Sequence, residues 1–382
     1  MLAQKPPMGW NSWNTFGKDI SEALIMEIAD VMVEKGYKDA GYEYVIIDDC
    51  WSLKERDENG RLVPDPEKFP HGMKYLADYI HSKGLKFGMY SCAGVMTCAA
   101  YPSSYGHEYV DAATFAEWEI DYLKYDFCFF PKSGNCRNAY LTMSMALRSC
   151  GREILFAACN WGVEEPWTWM RSIGVHTYRS TGDIFDNFKS FRDIAQSQCK
   201  NLSMSAPGCY NDIDMLIAGM YGNGNVGIES GCTDDEYTMH FALWSFYSAP
   251  LIMGADIRGV NEFSEKLMKN RGLIAINQDA EARPPFIVSD GENWSKCCAL
   301  LKILSGNEYA IGFFNFADEE NSYYGLQCNA FLTDMGIPYE SGMALDLTDV
   351  LTGEKLGKVR DLLKIDVRPH SCRILKGSLV HA

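Results

Sequence analysis

Lys124 and Asp126 stand two residues apart near the end of the run DYLKYDFC, residues 121–128. A stretch of this composition reads as a short buried strand, and side chains two apart on a strand point to one face. A lysine beside an aspartate favours the ionised carboxylate, the state able to attack an electrophile. A lone pair of this kind reads equally well as a salt bridge capping a strand. The ends of the other strand-like runs decide between the two. They carry Trp13, Asp48 and Asp49, Tyr90, Asn160 and Trp161, Arg179 and Asp183, then Asn211, Asp212 and Asp214. Few of these are aliphatic, and carboxylates are more frequent than strand ends serving only as structure would show. Cleaving an acetal needs one group to protonate the leaving oxygen and a carboxylate to stabilise or trap the oxocarbenium-like centre. Asp126 suits the second role. Asp183 and Asp212 are both candidates for the first, and spacing does not choose between them. His176 stands near these carboxylates in sequence but reads as readily as a core histidine.

These residues need a scaffold that brings many strand ends together. Strand-like runs alternate with amphipathic helix-like stretches from Met8 onward, the pattern of parallel strands joined by helices. The expected strands lie near 8–10 and at 42–49, 86–92, 121–126, 153–159, 175–179, 210–216 and 250–255. Helices are expected between them at 21–35 with Ser21 as N-cap, 73–83 with Gly84 as stop, 112–118, 136–150, 187–197 and 233–248. Eight such strands predict an α/β fold, a (β/α)8 TIM barrel, whose active site lies at the C-terminal ends of the strands. A doubly wound open sheet would show a glycine-rich phosphate turn after an early strand, where this chain has Asn11-Ser12-Trp13-Asn14. After about Asp279 the pattern changes to short β-rich runs at 298–304, 308–315 and 363–374, following the break at Pro284-Pro285. The expected organisation is a catalytic barrel over 1–283 and a C-terminal antiparallel β-sandwich domain over 284–382.

Composition bounds the partners. The chain has 382 residues and a net charge of −16, which argues against nucleic acid or an anionic membrane as a partner. No run of about 18 apolar residues is present to span a membrane. The 14 cysteines form no zinc-type spacing, so no metal and no cofactor are expected, and Cys297-Cys298 reads as a strand feature. No secretory leader precedes Pro6-Pro7, which predicts a cytoplasmic protein or a trimmed secreted one.

Several motifs in order give a resemblance. They are Met8-Gly9-Trp10-Asn11-Ser12-Trp13, Ile47-Asp48-Asp49-Cys50-Trp51, Lys68-Phe69-Pro70-His71-Gly72, Asp121 to Asp126, Tyr178-Arg179 to Asp183, and Ile274-Ala275-Ile276-Asn277-Gln278-Asp279. With them the chain resembles glycoside hydrolase family 27, the α-galactosidase and α-N-acetylgalactosaminidase group. The resemblance implies a barrel with a C-terminal β-sandwich and a retaining double displacement. In it Asp126 matches the nucleophile and Asp183 the acid/base, four residues after Arg179. Asp48, Asp49 and Lys124 match positions that bind sugar hydroxyls. Trp13 matches an aromatic wall, Tyr90 a residue near the nucleophile, and Arg179 a residue near the 2-position. Cys98 and Cys128 match a family disulfide beside the site, a bond unusual in a reducing cytoplasm.

The chain also departs from the family. Asn160 stands where α-galactosidases carry Glu and N-acetylgalactosamine-specific members carry small residues, at a position contacting the 2-substituent. Phe127 replaces a small or amide residue after the nucleophile. The stretch 222–232 (GNGNVGIESGC) reads as an inserted loop that shapes the leaving-group side or is ordinary surface. The expected function is hydrolysis of terminal α-galactosyl residues from an oligosaccharide or glycoconjugate, with α-N-acetylgalactosaminidase as the alternative. A β-L-arabinopyranosidase and an inactive sugar-binding barrel are lesser alternatives. Oligomeric state, including a homo-oligomer, is open.

Overall fold

A computed structural model describes residues 2–289, 297–318 and 327–382. Eight parallel strands run β1 (Met8–Asn11), β2 (Tyr44–Ile46), β3 (Lys86–Cys92), β4 (Tyr122–Asp126), β5 (Leu155–Ala158), β6 (Thr177–Arg179), β7 (Tyr210–Asp212) and β8 (Leu251–Met253). β1 to β7 pair in sequence order, and β8 pairs with β1. Leu216 bridges to Met253 in parallel, which closes the sheet into the expected barrel. Five of the expected helices lie within two residues of their expected bounds, the helix expected at 112–118 runs Glu108–Glu117, and Glu262–Met268 and Arg271–Asn277 are helices that the sequence did not reveal. Ser21 caps Glu22–Glu34 by accepting a hydrogen bond from the Leu24 amide at 3.3 Å.

The two-residue period of a strand sorts side chains between the barrel interior and the helices. Along β4, Leu123 and Tyr125 join the large core under the helices. Tyr122 belongs to the small interior cluster with Tyr44, Ile46, Leu155 and Met215. Lys124 and Asp126 continue that inward column toward the open end. β2 does the same: Val45 and Ile47 face the helices, while Tyr44 and Ile46 lead inward to Asp48. The bulky tyrosines fit because glycines face them. A Cβ on Gly9 would lie 2.5 Å from the Tyr44 carbonyl oxygen, and one on Gly88 2.7 Å from Ile46 Cγ1.

The C-terminal part is antiparallel and contains more strands than the sequence revealed: β9 (Phe286–Ser289), β10 (Cys297–Leu304), β11 (Glu308–Asn315), β12 (Gln327–Phe331), β13 (Met343–Asp349), β14 (Lys355–Val359), β15 (Leu362–Asp366) and β16 (Ser371–His381). β12 pairs with β15, and the other six form the second sheet. The single run expected over 363–374 is therefore two strands in different sheets, separated by a turn in which His370 takes φ 51°. Alternation again assigns faces. Ala299 and Leu301 pack inside the sandwich, whereas Cys298 and Leu300 join the barrel core. Cys297 is more than a strand residue, since it forms a disulfide with Cys328. The sheet docks on helix Asp234–Phe246, where Phe246 and Phe314 meet edge to face at 5.7 Å. That helix is buried nearly all round, which suits a helix clamped between two layers.

Candidate active site

Trp13, Asp48, Asp49, Tyr90, Lys124, Asp126, Trp161, Arg179 and Asp183 line one cavity at the C-terminal ends of the strands. It encloses about 110 Å³. A wider cavity of about 550 Å³ adjoins it across Trp13 and Val226.

The base of the site is a buried charge network. Lys124 Nζ donates to Asp48 Oδ2 at 2.8 Å, and Asn11 Nδ2 donates to the same oxygen at 2.8 Å. The sequence paired Lys124 with Asp126, but its direct partner is Asp48. Burial disfavours the ammonium, yet the charge of Asp48, with Asp126 behind it, holds the Lys124 pKa well above the usual range. Asp126 accepts from the Phe127 amide at 2.8 Å. Burial raises its pKa, while Lys124 and that amide pull it down. Lys124 therefore moderates the desolvation of Asp126 without overcoming it. The Cys98–Cys128 disulfide forms as the resemblance implied, and Cys98 Sγ lies 3.7 Å from Asp126 Oδ2.

Asp49 accepts from the amides of Cys50 and Ala99 at 2.7 and 2.9 Å, and burial raises its pKa against those bonds. Tyr90 lies beside Lys124, with Nζ 5.4 Å from its ring centre. The buried Tyr90 hydroxyl has no hydrogen-bond partner among the described residues, so it is a donor available to a ligand in the cavity.

Also in the cavity lining, Arg179 Nη2 reaches two carboxylates, Asp183 Oδ1 at 2.9 Å and Asp214 Oδ2 at 2.6 Å. Asp183 keeps 69% of its side chain exposed, whereas Asp214 is buried. Asp214 Oδ2 also accepts from the Ile184 amide at 2.6 Å. One carboxylate thus fixes both the arginine and the backbone next to Asp183. Burial raises the Asp214 pKa to about 6 against the pull of Arg179.

Asn160 departs from its expected place. It is fully buried and absent from the cavity wall. Its amide donates to the Val163 carbonyl at 2.6 Å, away from the cavity. Asp212 is also outside the cavity and accepts from the Asp214 amide at 2.9 Å. His176 accepts from the Phe156 amide at 2.9 Å, and burial lowers its pKa to about 4, so it is a neutral, half-buried histidine outside the cavity. The inserted loop does reach the site: Val226 and Gly227 line the cavity, and the Asn225 and Val226 amides both bond the Asn14 carbonyl at 3.0 Å. Sequence reasoning gave no role to Asp214, although it closes a strand-like run, and missed Phe185 altogether.

The family model described as Alpha galactosidase A matches residues 5–279. The chain belongs to the α-galactosidase family. It is 39% identical to Alpha-galactosidase A of Cellvibrio japonicus over 98% of this chain and 92% of that one. Among solved structures it resembles α-galactosidase I from Mortierella vinacea, with a TM-score of 0.89 and 32% identity. That match covers 100% of this chain and 99% of the other. It also resembles the Saccharomyces cerevisiae α-galactosidase solved with raffinose, at a TM-score of 0.88 and 28% identity over 99% and 98% of the two chains. Family membership accounts for a small cavity at the barrel mouth lined by several carboxylates.

Proposed function

We propose that the chain is a retaining α-galactosidase that removes terminal α-galactosyl residues from oligosaccharides or glycoconjugates. The observation that carries this reading is a single cavity at the barrel mouth lined by both Asp126 and Asp183. Full-length similarity to α-galactosidases supports it, as does the raffinose complex of the yeast relative.

In the proposed reaction an Asp126 carboxylate oxygen attacks the anomeric carbon. The bond from that carbon to the leaving oxygen breaks as Asp183 transfers its proton to that oxygen. Asp183, now ionised, then takes a proton from water. The water oxygen displaces Asp126 from the anomeric carbon, giving galactose with its configuration retained. Asp48, Asp49 and Lys124 bind the hydroxyls, Trp13 supplies an apolar wall, Tyr90 donates its free hydroxyl, and Arg179 orients Asp183. Among the described residues no helix is long and apolar enough to cross a membrane.

The test is hydrolysis of nitrophenyl α-galactoside, α-N-acetylgalactosaminide and β-L-arabinopyranoside side by side, with Asp126→Asn as control. Galactoside should dominate, and the control should fall by at least about 10³-fold, the scale of losing a covalent nucleophile. Preference for the acetamido sugar would overturn the substrate assignment. A fully active Asp126→Asn would overturn the mechanism.

A further inference from the structure

The leaving oxygen takes its proton from Asp183, so the first atoms of the leaving group must lie against whatever flanks that carboxylate. Two aromatic side chains do. Trp161 and Phe185 line the cavity with Asp183, yet they remain 37% and 43% exposed. Exposed aromatics at a cavity that also carries several carboxylates present flat apolar faces for binding.

The fold holds both in place. Trp161 takes φ 56°, the left-handed region that disfavours a non-glycine residue unless its surroundings enforce it. Here the turn is tied down by Asn160 Nδ2 on the Val163 carbonyl at 2.6 Å, the Val163 amide on the Asn160 carbonyl at 3.0 Å, and the Gly162 amide on the Arg179 carbonyl at 3.1 Å. Gly162 itself is required, because a Cβ there would lie 2.6 Å from the Ser180 carbonyl oxygen. Phe127 meets the Trp161 ring edge to face at 6.1 Å and stacks on Phe130 at 4.5 Å. On the other side, the Phe185 amide donates to Ser190 Oγ at 2.9 Å, and the next amide, of Asp186, donates to the Gly227 carbonyl at 2.8 Å. The two residues that break the family pattern, Asn160 and Phe127, thus both brace Trp161.

We propose that Trp161 and Phe185 form a leaving-group subsite for a six-membered ring attached directly to the glycosidic oxygen, with Asn160 and Phe127 as positioning residues. The proposal rests on the α-galactosidase reading above. An apolar ring face can come from a second pyranose or from a non-sugar ring, and the test includes both. The probes are methyl α-galactoside, cyclohexyl α-galactoside and α-galactosyl-(1→3)-galactose, compared by kcat/KM. All three leave as aliphatic alcohols, so the chemical demand on Asp183 is similar. Both ring-bearing probes should exceed the methyl probe by about threefold to tenfold, the scale of one aromatic contact. Phe185→Ala should bring that ratio toward one, and Asn160→Ala should lower it through the loosened turn.

A gain for cyclohexyl alone supports the subsite and identifies a non-sugar ring as the better occupant. A gain for the disaccharide alone would show recognition through hydroxyls and overturn stacking. Equal kcat/KM for all three probes would also overturn the proposal, as would a ratio that survives both Phe185→Ala and Trp161→Ala. Folded parent enzyme that cleaves no galactoside would instead defeat the α-galactosidase reading, and this subsite with it.

Discussion

Asp214 is one carboxylate with three tasks: it neutralises Arg179, fixes the Ile184 amide, and through both sets the distance at which Asp183 meets the arginine. Its pKa, raised to about 6, gives this arrangement a pH dependence. The unfolded carboxyl titrates near 3.8, so the ionised form is disfavoured by folding. Its contribution to stability is fully present below that value and is lost as pH rises through about 6. Activity runs the other way. Below about pH 6 a neutral Asp214 no longer offsets the Arg179 charge beside Asp183, which alters the arginine's hold on the acid/base. The expected kcat/KM profile carries an acid-side step near pH 6, and Asp214→Asn removes it while lowering kcat/KM about 10- to 100-fold for poor leaving groups. Nitrophenyl galactosides, which need little protonation, should lose less. A variant profile superimposable on the parent would sink this role.

At the scale of the element, the barrel strands work because glycine and tyrosine alternate across the interior. Gly9 pairs with Tyr44, and Gly88 with Tyr122. The two tyrosine rings meet at 5.3 Å below the charged layer. Gly9→Ala would press against the Tyr44 backbone, which cannot yield, whereas Gly88→Ala would press on the Ile46 side chain, which can shift. Thermal unfolding should show both destabilised by overpacking, about 1–3 kcal/mol, with Gly9→Ala the worse; the reverse order would contradict the packing argument. The two-residue period explains how much was readable in advance. Any residue sharing parity with a barrel-facing tyrosine and standing at a C-terminal strand end, such as Asp48, Lys124 or Asp126, was legible as lining. Residues beyond the strand end could go either way, because loop backbone sets their direction: Trp13, Trp161 and Asp183 line the cavity, whereas Asn160 does not. Asn160 turns into its own loop and Phe185 turns to the cavity, and only tertiary hydrogen bonds decide which. Antiparallel strands were harder to read than parallel ones. The run over 363–374 has continuous β character, and its break at His370 depends on a left-handed turn that composition does not signal.

Between the two layers of the whole molecule sits a lysine that alternation sends to the wrong environment. Residues 298 and 300 face the barrel, so Lys302 does too, and it is fully buried. Its ammonium donates to Ser248 Oγ at 2.6 Å and to the Ser245 carbonyl at 3.3 Å. The nearest carboxylate to act on it is Asp279, itself engaged by the Ser305 amide and hydroxyl at 2.9 and 2.6 Å. Burial outweighs that attraction and lowers the Lys302 pKa to about 7 from 10.5. Between these values the unfolded chain binds the proton and the folded one does not, so stability rises with pH from about 7 to 10.5. Below 7 both states are protonated, and the folded state carries the full penalty of a charge between its two domains. Lys302→Met keeps the length and removes the charge. Exchanging buried charge for apolar volume often stabilises by about 1–4 kcal/mol, here offset in part by the lost bond to Ser248. Urea unfolding at pH 7 should find the variant more stable than the parent, and the gap should narrow steadily by pH 9. A gap that stays constant with pH would mean that Lys302 is not the group that titrates. A less stable variant at pH 7 would mean that its two hydrogen bonds outweigh the desolvation of the ammonium.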